Sequence, residues 1–343
     1  MVNKGASDLH LTVPSPPVLR IDGVLTPQDS PPMTNKDIKL TFEQVSTKEQ
    51  RSVFDRELEL DFIYILPGLA RFRVNVLQQK GLMSLAFRFV PFYVPSIDEW
   101  GLPQIFKELI LRPRGLILIT GPSGSGKSTT LAAMISHLNE NVRRNVITIE
   151  DPIEFEFRNK KCLIRQRDVG NDTKSFATAL VHALRHDADV IVIGEMRDLA
   201  TISTAIMAAE TGHLVLGTLH TIDAPQSIDR MIDIFPHGQQ QQIRLQLSQV
   251  IEAVISQMLL PRIGGGRVPA FEIMLANSMI RKHIRDEKIF EIPVSIEVGR
   301  PEGMQTMDQA LADLVRRNII TLEQATMKSS SPIKLRQSLP IPI

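Results

Sequence analysis

One glycine-rich stretch, Gly-Pro-Ser-Gly-Ser-Gly-Lys-Ser-Thr at residues 121–129, most constrains the fold. It follows a continuous apolar run, Gly115–Thr120, and leads directly into a helical pattern over Lys127–Leu138. Glycines let the backbone turn sharply between these two elements without a steric penalty. An apolar strand, a tight loop and a helix in this order are typical of a parallel sheet that is buried on both faces. The stretch therefore predicts an α/β fold.

The alternation of strand and helix continues after this first unit. Further apolar strands are predicted at Asn145–Glu150, Asp189–Glu195 and Leu214–His220, with helices at Ser175–His186 and Asp198–Glu210. Helical crossovers between buried strands are the pattern of a parallel sheet. Beyond residue 225 the pattern predicts mostly helix. The predicted helices are Ser227–Phe235, Gly238–Leu260, Ser278–Lys288 and Met307–Asn318.

The first part of the chain is patterned differently. Apolar and polar residues alternate around 70–76 and 82–89, which predicts antiparallel strands, and one helix is predicted over Asn35–Arg56 with Thr34 as its N-cap. Prolines at 91, 95 and 103 then mark a break between domains. We predict four segments. They are a small α+β domain over 1–95, a linker over 96–108, an α/β domain over 109–330 and a disordered tail over 331–343.

Composition removes several classes of protein. Lysine and arginine number 39 against 38 acidic residues, and this near-balance disfavours a nucleic-acid binder, which usually carries a basic excess. The single cysteine, Cys162, excludes an internal disulfide framework and a four-cysteine zinc site. No apolar run is long enough to span a bilayer, and residues 1–10 do not resemble a secretory signal. We expect a soluble, cytoplasmic protein.

The glycine-rich stretch also has a chemical meaning. It matches the pattern G-x-x-x-x-G-K-[ST] in full, at the strand–helix junction where backbone N–H groups and the helix dipole bind phosphate. Lys127 adds a charge toward the β- and γ-phosphates, and the Ser128 hydroxyl is a Mg²⁺ ligand in such loops. The predicted nucleotide-binding residues are Gly121, Ser123, Gly124, Ser125, Gly126, Lys127, Ser128 and Thr129. The guanine-selective Asn-Lys-x-Asp motif does not follow, and the ABC signature is absent, so ATP is preferred over GTP.

Two groups of acids follow predicted strands. The run Val190–Glu195 resembles a Walker-B strand, except that Gly194 occupies the usual aspartate position. A second group, Glu150–Glu154, follows the strand at 145–150. Ligands bind beyond the carboxyl ends of parallel strands, so one acid is expected to serve Mg²⁺ and another to activate the attacking water. Spacing alone leaves their assignment open.

Two histidines bracket the predicted strand at 214–220. His220 lies at its carboxyl end with the acids and is a candidate contact for the γ-phosphate, whereas His213 lies at the other end, where an ordinary interface role is equally compatible. Seven positions along a strand separate them, which disfavours a shared metal.

These segments together resemble the secretion ATPases, the hexameric motors of type II and type IV secretion and of type IV pili. The resemblance rests on residues 121–129, 148–155, 194–198 and 210–220, which correspond to the Walker A, Asp, Walker B and His boxes. It implies a PAS-like N-terminal domain and a RecA-like ATPase domain. It also implies Glu154 as catalytic glutamate, Glu195 near Mg²⁺ through water, and His213 and His220 as the box histidines. Arg73 and Arg88 correspond to N-terminal arginines that approach the γ-phosphate in this family.

The branch that moves type IV pili inward is the best match within the family. Supporting segments are 5–10, 71–75, 264–267 and 303–306. The paired-cysteine zinc insert that extension and secretion members often carry is excluded by the single cysteine. A helix at Ser278–Glu287 keeps four residues of a retraction-linked segment (Ile280, Arg281, Ile284 and Arg285), and its apolar stripe either packs in the core or transmits force. The family's first helix is mostly missing before Gly5, which suggests a truncated start.

The resemblance therefore predicts a hexameric ATPase, with ATP and Mg²⁺, that drives pilus retraction and twitching motility. Its expected partners are further copies of itself, an inner-membrane pilus platform protein and an accessory paralogue, with no nucleic acid. It is expected at the cytoplasmic face of the inner membrane. The alternatives are an accessory retraction role or a pilus-extension or type II secretion ATPase. More remote alternatives are a nucleic-acid translocase, disfavoured by 5% aromatic residues and the net charge of +1, and a non-hydrolysing nucleotide sensor.

Overall fold

A computed structural model describes residues 1–66, 70–90 and 94–339 of this chain. The chain forms two compact units, Met1–Tyr93 and Val94–Ile343. The predicted α/β class with a parallel sheet is confirmed and lies in the second unit.

Unit 1 is a six-stranded antiparallel sheet in the order β3-β2-β1-β6-β5-β4. Its strands are β1 Asp8–Leu11, β2 Val18–Ile21, β3 Val24–Pro27, β4 Glu59–Leu66, β5 Ala70–Gln79 and β6 Leu82–Val90. Two helices, α1 Asn35–Val45 and α2 Lys48–Glu57, pack on one face through Ile38, Phe42 and Phe54. The prediction of a single helix over 35–56 is wrong, because two helices form there. Thr47 is the N-cap of α2 and forms a second capping box, and such a cap starts a new helix.

Unit 2 is built on a seven-stranded sheet in the order β13-β12-β7-β11-β10-β8-β9. Its strands are β7 Gly115–Thr120, β8 Asn145–Glu150, β9 Leu163–Asp168, β10 Val190–Ile193, β11 Leu214–Leu219, β12 Ile251–Pro261 and β13 Arg267–Leu275. Its helices are α3 Ile105–Ile110, α4 Lys127–Asn141, α5 Phe176–Ala183, α6 Leu199–Glu210, α7 Ala224–Asp233, α8 His237–Val250, α9 Ser278–Arg285, α10 Ile292–Val298, α11 Met307–Arg316, α12 Leu322–Lys328 and α13 Pro332–Ser338.

The central strand β7 shows why this sheet is buried on both sides. Leu116 and Leu118 belong to one apolar cluster, while Ile117 and Ile119 belong to another on the opposite face. Side chains alternate along a strand, so a wholly apolar strand must be covered twice. Helices α5 to α10 cover the first face, and α3 and α4 cover the second. The two helical layers fix the strands and therefore the positions of the loops that follow them.

Three predictions about the chain's organisation need correction. The predicted helix over Gly238–Leu260 ends at Val250, and β12 follows without a break. Neither glycine nor proline separates the two, so the mostly apolar segment 251–260 gives no local sign of the change. Because β12 lies beside β7 and β13, tertiary packing decides its conformation.

The predicted linker and tail are also ordered against unit 2. Within residues 96–108, Ile97, Leu102 and Phe106 are buried in the cluster that contains α4, because the prolines make the backbone irregular but leave apolar side chains to bury. Within residues 331–343, α13 forms and buries Leu335, and its first residue is a proline, which is well suited to a helix start. Residue 91 and residues 340–343 lie outside the described part of the chain.

Candidate nucleotide site

The glycine-rich loop joins β7 to α4 as the sequence predicts. Gly121, Gly124 and Gly126 have φ values of 141°, 77° and 92°, a region that residues with a Cβ rarely adopt. Gly126 is the N-cap of α4, so the loop ends where the helix begins. Backbone N–H groups of the loop and of the first helical turn therefore converge at the positive end of the helix dipole.

The side chains of this loop fit an anionic group. Ser125 Oγ is buried and has no hydrogen-bond partner in the described part of the chain. Lys127 Nζ donates to the carbonyl oxygens of Gly121 and Pro122, at 2.7 and 3.1 Å. Burial lowers the pKa of Lys127, while the negative charges of Glu195 and Glu154 oppose that shift. The loop thus combines backbone donors, a hydroxyl and an amine next to two carboxylates, which suits phosphates and a divalent cation.

Four parallel strands bring the predicted groups to one edge of the sheet. Thr120 is paired with Leu219, and Ile193 is paired with both Gly217 and Ile149. The segments that follow β7, β11 and β10 contain the loop, His220 and Glu195, and Glu150 is the last residue of β8. The carboxyl ends of β7, β11, β10 and β8 are adjacent, as expected for ligand binding in an open parallel sheet.

Glu195 is the most firmly held of the acids. Its carboxylate Oε1 accepts from Arg197 Nε at 2.5 Å and lies 2.9 Å from His220 Nε2. Burial raises the pKa of Glu195, but the Arg197 hydrogen bond and the charges of His220 and Arg197 outweigh it, so the pKa lies below its ordinary value. The turn is fixed beneath it because Thr218 Oγ1 donates to the Gly194 carbonyl. Glu195 is therefore an ionised, oriented carboxylate.

Glu150 and Glu154 occupy different environments although both belong to the second acidic group. Burial raises the pKa of Glu150, and its Oε1 accepts from Thr148 Oγ1 at 2.6 Å and from Gln166 Nε2 at 3.1 Å. Glu154 is exposed and its charge acts on Lys127. Glu154 therefore faces solvent with its charge acting on Lys127, whereas Glu150 is held inside the fold by two hydrogen bonds. Their assignment in the chemistry stays a prediction.

Gln166 fixes the segment that carries Glu154, and sequence reasoning did not find it. Gln166 Nε2 donates to the Phe155 carbonyl at 2.7 Å, and its Oε1 accepts from Phe157 N at 2.9 Å. Its strand, β9, has the composition Leu-Ile-Arg-Gln-Arg-Asp, so nothing local distinguishes it from other polar positions. Arg197 was also missed, although it lies beside Glu195 within the motif at 194–198.

The structure separates the two box histidines. His213 precedes β11 and its Nδ1 lies 3.0 Å from the Ala208 carbonyl, while His220 follows the same strand. Six residues of strand correspond to about 20 Å. His220 joins Glu195, whereas His213 lies at the opposite edge of the sheet. The chain therefore does not bring His213 to its own loop, and the predicted role of His213 remains a prediction.

Arg73 and Arg88 form a pair on unit 1. They are directly opposite each other on β5 and β6, on the face away from the core residues Val74 and Phe87. Arg88 Nε donates to Asp8 Oδ1 at 2.9 Å, and the Arg88 side chain remains 68% exposed. Burial raises the pKa of Asp8, but hydrogen bonds from Arg88 and Ser7 hold it below its ordinary value.

Arg73 is anchored in the same way. Its Nε lies 3.4 Å from Asp61 Oδ1. Both arginines thus use Nε for a neighbouring carboxylate, and Nε is the part of a guanidinium nearest the backbone. Asp8 lies within the segment at 5–10, and no local pattern shows that it pairs with Arg88. The approach of Arg73 and Arg88 to the γ-phosphate stays a prediction.

Helix α9 packs its apolar stripe into the core of unit 2 through two isoleucines, and a role in force transmission stays a prediction. Ile280 and Ile284 are fully buried in the main cluster of unit 2, while Met279 is 53% exposed. Arg281 donates to the carbonyls of Ser248 and Gln249 at the end of α8 and pairs with Glu252 at 2.8 Å. The stripe packs the core, and Arg281 closes the end of α8, where a cation is favourable.

Within 1–66, 70–90 and 94–339, no group of three or more His, Cys, Asp or Glu side chains is placed to hold a metal ion. In the same ranges no helix combines the length and the apolar character needed to cross a membrane.

The chain has clear relatives among known proteins. The sequence profile of the family described as "Type II/IV secretion system protein" matches residues 2–266. The chain is 46% identical over 329 residues to the type IV pilus retraction ATPase PilT of Pseudomonas aeruginosa, covering 96% of each chain. It is 38% identical to the type IV pilus ATPase PilU of the same organism, covering 98% of this chain and 88% of PilU.

A solved structure supports the fold in detail. The crystal structure of the pilus retraction motor PilT with bound ADP superimposes with a TM-score of 0.89 at 46% identity, covering 98% of this chain and 96% of that one. The likeness extends over both units and includes the RecA-like arrangement of the sheet.

Proposed function

We propose that this chain, which belongs to the type II/IV secretion system protein family, is an ATPase motor that drives the retraction of a type IV pilus. One observation carries the enzymatic part. The carboxyl edge of one parallel sheet brings the phosphate loop, Glu195 and His220 together, and the charges of Glu154 and Glu195 act on Lys127. The similarity to PilT over nearly the whole chain supports retraction as the work performed.

Nucleotide binding follows from the loop. Its backbone N–H groups bind the β-phosphate, and Lys127 exchanges its contacts with the Gly121 and Pro122 carbonyls for the phosphate oxygens. The exchange is favourable because an amine–phosphate contact joins opposite charges, whereas a carbonyl is neutral. The Ser125 hydroxyl, buried without a partner among the described residues, gains an acceptor in the same step.

Hydrolysis requires a base and an oriented acid. Glu154, exposed and close enough for its charge to act on Lys127, accepts the proton of the attacking water. Glu195 keeps its charge beside Arg197 and His220 and orients the water shell of the cation. Mg²⁺, for which the Ser128 hydroxyl and Glu195 are the expected contacts, would neutralise charge on the phosphates when bound. His220, whose Nε2 lies 2.9 Å from Glu195 Oε1, is proposed to contact the γ-phosphate.

Arg73 and Arg88 are proposed to complete the site from unit 1 of the same or another copy. Arginine suits this role because its guanidinium gives two donors to phosphate oxygens and stays charged. A γ-phosphate bound from two sides holds them together, and hydrolysis removes that link. In this proposal the work step is the change in domain arrangement that follows.

Retraction is favoured over an accessory role by the higher identity to PilT than to PilU, 46% against 38%. The proposed assembly is a homo-hexamer that acts on a pilus platform protein at the cytoplasmic face of the inner membrane, with an accessory paralogue as a further partner. These partners are inferred from the family resemblance.

The test combines an assay and a genetic experiment. The purified chain is expected to release phosphate from ATP, and deletion of its gene is expected to abolish twitching while surface pili increase. Wild-type protein should restore twitching, and the Glu154→Gln protein should not. Fewer pili after deletion would assign extension instead, and normal twitching would assign an accessory role.

A further inference from the structure

Strand β12 runs beneath the phosphate loop. Pairing between β12 and β7 extends to Ser256 opposite Thr120, which is also the last residue of β7. Gln257, the next residue of β12, is only 2% exposed. Gln257 therefore lies beside the phosphate loop, because the neighbouring strand β7 ends at Thr120. No motif contains Gln257, and the predicted helix over 238–260 concealed it.

Gln257 contacts the loop at both ends. A Cβ built on Gly121 would collide with the Gln257 carbonyl oxygen, so the first glycine lies directly against the β12 backbone. A Cβ built on Gly126 would lie 2.8 Å from Gln257 Nε2, so the last glycine lies against the side chain. These contacts explain two of the loop glycines by close approach as well as by φ.

The same side chain is attached to helix α4. Thr130 Oγ1 donates to Gln257 Oε1 at 2.7 Å, and both groups are buried. The hydrogen bond fixes the plane of the amide and therefore its contact with Gly126. One residue of β12 thus sets the position of the start of the loop, its end and the first turn of the helix.

We propose that Gln257 is a positioning residue for nucleotide binding, acting through the phosphate loop. The proposal rests on the proposed function, since it requires that the loop bind a nucleotide. A loop with three glycines has little rigidity of its own, and hydrogen bonds weaken steeply when the donor direction changes. Contact with Gln257 keeps the loop N–H groups directed at the position of the β-phosphate.

The predicted effect falls on affinity rather than on the chemical step. Gln257 contacts the loop that is proposed to bind the phosphates shared by ATP and ADP, whereas Glu154 and Glu195 follow two other strands, β8 and β10. Loss of an interaction that is equal in ground and transition states raises KM and leaves kcat nearly unchanged.

The experiment uses the full chain with ADP and ATP as probes. Gln257→Ala should weaken ADP binding by roughly 5- to 10-fold, the effect of one lost buried hydrogen bond, and raise KM similarly, with kcat within about 3-fold. Thr130→Val, which removes only the hydroxyl donor, should reproduce part of the loss. Thr130→Ser, which keeps the hydroxyl, should bind ADP as tightly as the parent.

The double variant Gln257→Ala with Thr130→Val should lose less binding free energy than the sum of the two single variants, because the two residues act through one contact.

Ser256→Ala is the matched control, because it removes a buried hydrogen bond to Thr120 one residue earlier on the same strand. It should lower the melting temperature of the nucleotide-free protein without changing ADP affinity. If folded Gln257→Ala and Thr130→Val both bind ADP as tightly as the parent, the positioning role is wrong. Should Gln257→Ala fail to fold, the Thr130 pair decides alone. A parent chain that binds no nucleotide would instead refute the proposed function.

Discussion

The phosphate loop of unit 2 and the arginine pair of unit 1 present their proposed phosphate-binding groups by different constructions. The loop uses backbone N–H groups, which are held by strands and a helix on both sides. The arginines use long side chains on the open face of an antiparallel sheet, held near the backbone by Asp8 and Asp61. The loop N–H groups have a fixed geometry, whereas the ends of the arginine side chains are free to change their contacts. Binding should therefore depend on the loop, and turnover on the groups that approach it.

The largest effects are expected inside unit 2. Glu154→Gln should retain ATP binding, because the loop is untouched, and should slow hydrolysis by roughly 10²-fold or more, the size of a general-base contribution. Lys127→Ala should weaken nucleotide binding itself. Steady-state kinetics and nucleotide titration on both proteins separate the two effects. Near-normal turnover of Glu154→Gln would transfer the base role to Glu195 or Glu150.

The comparison is tested directly by the arginines. Arg73→Ala and Arg88→Ala should each reduce turnover by roughly 10- to 100-fold, less than a single arginine finger contributes because two residues share the role. ATP affinity should change much less. Arg20→Ala is the control, since Arg20 lies on the same sheet beyond Asp8, with its Nε 3.8 Å from Asp8 Oδ2. Parent rates in both variants would make these surface arginines, and the two constructions would then be unrelated.

The two histidines sharpen the comparison within one strand. His220→Ala should lower turnover by about 10-fold, the effect of one lost hydrogen bond of about 1.4 kcal/mol, because Glu195 loses its partner at 2.9 Å. His213→Ala should leave turnover of the isolated chain nearly unchanged, since His213 lies at the other end of β11. Phosphate release is measured for both at saturating ATP. An equal loss at both positions would show that His213 acts at a site formed by another copy.

The smallest effect concerns two buried carboxylates that behave in opposite ways. Asp8 in unit 1 has a cationic partner and a lowered pKa. Glu272 in unit 2 accepts from Ala224 N at the start of α7, at 2.8 Å, and burial raises its pKa from 4.5 to about 7. Between these pH values the folded chain keeps the Glu272 proton that the unfolded chain has lost. Stability from this group therefore falls as pH rises through this window.

The check is a series of thermal unfolding measurements from about pH 5 to pH 7.5. Glu272→Gln should flatten the decline relative to the parent, because it cannot ionise. Glu297→Gln, which removes an exposed carboxylate, serves as control. An unchanged pH dependence in Glu272→Gln would mean that Glu272 is already ionised throughout. Asp8 contributes in the opposite sense, with stability lost as pH falls through its lowered pKa.

Local signals accounted for the parts of this protein that are made from consecutive residues. The loop at 121–129 is one continuous segment, and the apolar runs that become β7, β8, β10 and β11 were visible because strands buried on both faces are apolar throughout. Parallel pairing then required their carboxyl ends to lie together, so the position of His220 and Glu195 near the loop followed from the order of the elements. The N-cap at Thr34 was also predicted from local sequence, and the structure confirms it.

Contacts between distant residues were decided by the tertiary structure. The segment 251–260 forms β12 because it pairs with β7 and β13 in the sheet. This pairing brings Gln257 next to the phosphate loop, although the two are far apart in sequence. Glu150 and Glu154 are four positions apart, yet only packing against Thr148 and Gln166 turned one of them inward. The amino-acid sequence by itself determined which groups lie at the carboxyl ends of the parallel strands. The tertiary structure decided which of them are ionised, exposed and held, because burial and partners depend on contacts that no local pattern contains.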